Sequence, residues 1–126
     1  AGQIISAVEA QAASISVPQN IAITDPAGHL LAFKRMEGAA LVSIDVALKK
    51  AKTVSLFGGR FGTDDLTNLV TAGSAFQGLE QTNGGLVVIG GGLPIKVGGT
   101  FVGGLGVSGG LAAQDVECAE AGVAAV

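Results

Sequence analysis

Ile4, Ile5, Val8, Ala12 and Ile15 recur at helical spacing, which predicts an amphipathic helix over residues 2–15. Pro18 cannot continue its hydrogen-bond ladder. Ile21 to Ile23 reads as a short strand. Asp25-Pro26-Ala27-Gly28 reads as a tight turn, because Pro26 presets φ and Gly28 accepts a positive φ. His29 to Met36 forms the next strand, and its poor alternation predicts cover on both faces. Ile44, Ala47, Leu48, Ala51 and Val54 make one face of a helix over 43–56, with Ser43 as N-cap and Lys49 and Lys52 on another face. Gly58-Gly59 ends that helix, and Thr63 caps another running to about Val70, with Asp64 and Asp65 in its first turn. Leu86 to Ile89 reads as a strand, residues 90–97 bend into a further one, and Gly98-Gly99 turns into a third over Thr100 to Val107. The last segment is helical from about Gly110, with Ala112, Val116, Ala119 and Val123 as its buried stripe and Cys118 one position off it. The order α-β-β-α-α-β-β-β-α predicts one α+β domain over residues 1–126, an antiparallel sheet with helices packed on it.

Composition adds an expectation about partners. Hydrophobic residues are 48% of the 126 and charged residues only 13%, where about 25% is usual. So few charges cannot cover the outside of a monomer, and the surplus apolar surface predicts a homo-oligomer. The net charge of −3, the seven Lys and Arg, and the lack of Trp and Tyr argue against nucleic acid. No apolar stretch approaches the roughly 20 residues of a membrane helix. The start shows no signal-peptide pattern, which points to the cytoplasm, although a removed signal would leave no trace. Ala1 already lies at a helix, so residues upstream are expected. The lone Cys118 excludes an internal disulfide and a cysteine-based metal cage.

Five segments in order resemble one family. They are Ala22 to Leu30 around the first turn, Arg35-Met36-Glu37-Gly38-Ala39, Lys50-Ala51-Lys52-Thr53, Gly91-Gly92-Leu93-Pro94-Ile95, and Gly103 to Gly110 followed by Gln114-Asp115. Glu37 stands where that family usually has Asp. The chain resembles the GlcG/HbpS family, the haem-degrading-domain group that also includes the C-terminal domain of PduO corrinoid adenosyltransferases. The resemblance implies a sheet of about five antiparallel strands flanked by helices, homo-oligomers as large as octamers, and haem as a cofactor. Many members sit in catabolic operons, and a shared fold does not by itself name a reaction.

The candidate chemistry is sparse. His29 is the only histidine, so any histidine ligand to haem iron is His29, although a residue after a turn glycine is commonly just solvated. Cys118 reads as a small core residue, since a nucleophile needs a base and a lowered pKa. With only two arginines, Arg35 and Arg60, the chain has few rigid carboxylate forks, and Arg35 ends a strand beside Glu37. Lys50 and Thr53 lie three residues apart on one helix, so they share a face and can complete an anion site with Arg35. Ser108-Gly109-Gly110 leads from a strand into a helix start that either holds an anion or merely turns. Three functions follow. The first is haem or tetrapyrrole binding with haem breakdown, for which His29, Thr53 or no protein ligand remains open as the axial group. The second is a cofactor-free enzyme acting on a small organic acid, with Glu37 or Asp25 as base and Arg35 holding the substrate. The third is a structural oligomer without an active site. No catalytic residue and no protein metal site is assigned.

Overall fold

A computed structural model describes residues 1–126. The elements are helix α1 (Gly2–Ser14), strands β1 (Asn20–Thr24) and β2 (Leu30–Arg35), helix α2 (Val42–Leu56), short helix α3 (Thr63–Leu66), strands β3 (Gly92–Val97) and β4 (Thr100–Ser108), and helix α4 (Ala112–Val123). Two single 3-10 turns, Thr67–Leu69 and Leu79–Gln81, lie between α3 and β3. All strand pairs are antiparallel and the sheet order is β2-β1-β4-β3. The architecture is α+β, as the pattern predicted, with four strands rather than five.

The missing strand is Leu86 to Ile89. Its backbone is held without a ladder: the Leu86 N–H donates to Glu80 O, the Val87 N–H to Thr53 Oγ1, and the Thr67 hydroxyl to Val88 O. An apolar run looks like a strand from its composition, but here side-chain hydroxyls satisfy the backbone groups that a neighbouring strand would otherwise have to pair.

Each face of the sheet has its own packing chemistry. On one face α1 and α4 cover Ile21, Ile23, Ile95, Leu105 and Val107 with Ile4, Val8, Ala12, Cys118 and Ala119. On the other, α2 lies on β1 and β4 through Ala22, Ala47 and Ala51. That second contact is nearly backbone on backbone. A Cβ placed on Gly104 would sit 2.3 Å from Ala51 O, and one on Gly106 2.1 Å from Ala47 O. The small residues of β4 therefore set how deeply α2 sinks into the sheet.

Several local expectations are corrected. Strand β2 is not covered on both faces: it is an edge, with Leu30 53% and Leu31 64% exposed. Ser43 is not the cap of α2; Leu41 flanks that helix and Ser43 is buried in its first turn. Gly62 rather than Thr63 precedes α3, whose α-helical part stops at Leu66; the Thr63 hydroxyl instead accepts the Gly92 N–H at 2.9 Å. The buried stripe of α4 is Asp115, Cys118, Ala119 and Gly122, one step round from the predicted face. The reason is Asp115, which is turned inward by a buried lysine and takes the helix face with it. Cys118 is a free core thiol, and burial raises its pKa, so it has the character of a packed residue rather than a nucleophile.

The Asp25 turn matches its prediction. The Gly28 N–H donates to Asp25 O, and Asp25 Oδ1 accepts both the Ala27 and His29 N–H groups at 2.9 Å. Gly28 has φ +92. Gly28→Ala is expected to cost roughly 1 kcal/mol or more, because a β-carbon is strained at positive φ. Urea unfolding checks this, and a variant as stable as the parent would remove the turn assignment. No helix is long and apolar enough to cross a membrane.

Candidate functional site

The strand registers bring together two of the residues singled out in the sequence. Arg35 on β2 pairs with Asn20 on β1, and Asn20 pairs with Ser108 on β4. Direct cross-strand partners share a face, so Arg35, Asn20 and Ser108 form one row across the sheet. It is the α2 face, because the next rows hold Ala22 with Gly106 and Thr24 with Gly104, which α2 covers. Asn20 and Ser108 are buried, while Arg35 and the neighbouring Glu37 are exposed. The Asn20 amide donates to Ala40 O at 3.0 Å, and its Oδ1 is buried with no hydrogen-bond partner. A buried acceptor without a donor is costly. Asn20 was not singled out from sequence. Its signal was a polar pair, Gln19-Asn20, opening a strand that is otherwise wholly buried.

His29 lies at the other end of β2. Its side chain is 81% exposed, and Nδ1 sits 3.4 Å from Asp25 Oδ2. The backbone N–H of His29 is the main cause that holds the Asp25 carboxyl below its usual value; desolvation opposes it, and the Ala27 N–H and the imidazole add to the lowering. The Asp25 carboxylate thus faces Nδ1 and leaves Nε2 open to solvent. Lys52, exposed on α2, flanks this turn: its Cγ would be 3.5 Å from a Cβ on Gly28. With about 3.3 Å of rise per strand residue, His29 and Arg35 are roughly 20 Å apart in one chain. They do not converge.

Lys50 and Thr53 face inward. Lys50 is fully buried; Nζ donates to Asp115 Oδ2 at 3.0 Å and to Val107 O at 2.9 Å. Desolvation holds its ammonium below the ordinary lysine value, with the Asp115 carboxylate opposing the shift. Asp115 Oδ1 accepts the Gly110 N–H, and Gln114 Oε1 accepts the Leu111 N–H. The turn after Ser108 is therefore capped by the chain's own side chains. Thr53 spends its hydroxyl on Val87 N–H. Asp115 sits in the first turn of α4, where an acid also suits the helix dipole, and only tertiary contact reveals its partner.

The cavity of the chain, about 400 Å³, lies elsewhere, between Leu56, Phe57, Gly58, Arg60 and Phe61 at the end of α2. Arg60 is its one charged wall residue, and Phe57 and Phe61 meet edge to face. No group of three or more His, Cys, Asp or Glu side chains converges in metal-binding geometry.

Comparison with known proteins agrees with this fold. Residues 1–124 match the family profile described as haem degrading protein HbpS-like. An uncharacterised 15.0 kDa protein of the dhaT-dhaS intergenic region of Citrobacter freundii is 40% identical over 95% of this chain and 84% of its own length. The corrinoid adenosyltransferase PduO of the same organism is 38% identical over 98% of this chain, which spans only 37% of that protein. Among solved structures, a PduOC:haem complex superposes with a TM-score of 0.93 at 36% identity, covering 99% of this chain and 90% of that one. HbpS superposes with a TM-score of 0.82 at 28% identity, covering 97% of this chain and 82% of that one. The chain belongs to the HbpS-like family, whose profile it matches from residue 1 to residue 124.

Proposed function

We propose that this protein is a haem- or tetrapyrrole-binding homo-oligomer. The observation that carries the reading is the likeness, over nearly the whole chain, to a relative solved as a haem complex. The residues present fit such a group. The single histidine is exposed, its Nδ1 lies 3.4 Å from a carboxylate, and Nε2 remains to meet an iron; a carboxylate behind a ligating imidazole helps to hold the ring in place. Leu30 and Leu31, both exposed, follow it on the strand and offer apolar surface to a flat ring. Lys52 beside the turn supplies a cation for a propionate. When bound, haem supplies an iron centre whose chemistry is set by its axial ligand and surroundings. The chain's own part is to present the imidazole, hold the carboxylates and exclude water along β2. Lys50 and Thr53 act behind this surface, keeping α2 and the Leu86 to Ile89 segment in place.

A second reading is favoured by the row Arg35, Asn20 and Ser108. A small organic acid pairs its carboxylate with Arg35, the exposed end of that row. Glu37, two residues from Arg35, is then the general base, whereas Asp25 lies with His29 at the far end of the strand and is out of reach.

Haemin titration separates the two. Wild type is expected to give a Soret band, His29→Ala to bind haemin about tenfold more weakly or worse, and Arg60→Ala to match wild type. A wild type that develops no Soret band removes the haem reading. Loss in Arg35→Ala for a panel of small hydroxy acids, with haemin affinity unchanged, selects the second reading.

A further inference from the structure

Three of the five phenylalanines and one of the two arginines gather at the end of α2. Gly58 and Gly59, at φ +67 and +74, reverse the chain there, so that Arg60 and Phe61 line one cavity with Leu56 and Phe57. The Gly58 N–H donates to Ser55 O and the Gly59 N–H to Val54 O, which satisfies the helix end. Both sides of the reversal are pinned. A Cβ on Gly59 would sit 2.3 Å from the ring of Phe101 on β4, so that ring already fills the space a side chain would take. Beyond Phe61, the Gly62 N–H donates to Asp65 Oδ2 and the Thr63 hydroxyl accepts the Gly92 N–H. Gly58 is the open side, since a Cβ there meets nothing within 4 Å. The resulting cavity of about 400 Å³ falls within the roughly 300–1,000 Å³ typical of small-molecule sites.

We propose that this cavity is a binding site for a small aromatic monocarboxylate, separate from the surface around His29 and independent of the haem reading. Charge is the first reason. Arg60 is exposed and forms no ion pair within the chain. Asp65, close to it in sequence, is turned instead to the Gly62 N–H. A guanidinium left free in this way presents parallel donors that match a carboxylate. Arg60 is also the only charged residue of the wall, so it balances one negative charge and leaves a phosphate dianion in excess. Shape is the second reason. Phe57 and Phe61 meet edge to face with centroids 5.9 Å apart, an arrangement that leaves ring faces for a further ring to meet. Leu56 and Phe61 are 44% and 38% exposed, and a flat apolar body covers surface that the chain itself leaves bare. The wall carries no carboxylate, hydroxyl or imidazole, so it offers the acid no proton acceptor or nucleophile. The site holds its ligand and does not transform it.

Phenylacetate is the probe, titrated into isotope-labelled protein and followed by the backbone amide resonances. It is expected to bind with a Kd on the order of 1 mM or tighter, as suits so small a ligand, and to shift the resonances of residues 56–61. Acetate, which lacks the ring, and 2-phenylethanol, which lacks the charge, are expected to bind at least about tenfold more weakly. Arg60→Gln alters an exposed side chain and leaves the fold intact, as circular dichroism should confirm. It is expected to weaken phenylacetate about tenfold and to leave 2-phenylethanol unchanged. A wild type with no saturable shift overturns the proposal. So does equal phenylacetate affinity in wild type and Arg60→Gln. A loss that follows Arg35→Ala instead overturns it too, because the acid then sits at the far end of the sheet. Haemin that displaces phenylacetate at one equivalent assigns the cavity to haem and overturns the separate site. A wild type without a Soret band removes only the haem reading, since the phenylacetate titration is read without haemin.

Discussion

Asp115→Ala is expected to lower stability by about 3–5 kcal/mol, as seen when one partner of a buried ion pair is removed. The variant strands the Lys50 ammonium, fully buried, with only Val107 O as acceptor. It also releases the Gly110 N–H that Asp115 Oδ1 now accepts at the entry to α4. Lys50→Met should cost less, because Asp115 keeps the Gly110 contact and lies nearer the helix start. Lys50→Met combined with Asp115→Leu should recover much of the loss, since no buried charge is then left unpaired. Chemical unfolding midpoints check all three. Single variants within about 1 kcal/mol of wild type would mean that the pair behaves like a solvated surface bridge. The pH dependence has a definite sign. Desolvation holds the ammonium of Lys50 in the folded chain below the ordinary lysine value. The unfolded chain therefore binds more protons between the two values, and the contribution of Lys50 to stability rises with pH through that window. Lys50→Met should flatten this rise; an identical slope in both proteins would assign it to another group.

The second large effect is expected from Gly106→Ala. The added Cβ would lie 2.1 Å from Ala47 O and 2.6 Å from Ala51 N, where ordinary contact needs 3.4 Å or more. Both neighbours are helix backbone, so no rotamer change can relieve the clash. Helix α2 must lift off β4, and lifting it also loosens Lys50 from Val107 and Asp115. A cost on the order of 4 kcal/mol follows, in the tail reserved for core overpacking without escape. Gly2→Ala is the control: a Cβ there meets nothing within 4 Å. It should stay within about 1 kcal/mol of wild type in the same unfolding experiment. Gly106→Ala as stable as that control would mean that α2 rides higher on the sheet than described.

Local rules read correctly wherever the determining partners lie close in sequence. The Asp25 turn follows from a proline, a glycine and a carboxylate within five residues, and the helices α1 and α2 follow from their apolar spacing. Thr63 was misread because its hydroxyl serves Gly92, far along the chain, instead of its own helix. Leu86 to Ile89 was misread because Thr53 and Thr67 supply the hydrogen bonds that a strand would need. The site divides in the same way. Arg35, His29 and Ser108 were legible as scarce or strand-end residues. Asn20 was not, since its importance comes from sitting between Arg35 and Ser108 in a register that no local pattern encodes.

By itself the sequence determined the α+β class, the turn chemistry, the order of most elements and the short supply of charge, because these depend on period, backbone preference and composition. Tertiary structure alone decided that Lys50 is spent on Asp115, that α2 lies on a glycine floor, and that β2 is a bare edge with His29 and Arg35 at opposite ends. The physical reason is the range of the interactions. A buried ammonium takes whichever carboxylate the fold brings within 3.0 Å, here one 65 residues away, and an edge exists only once the strand order has been set.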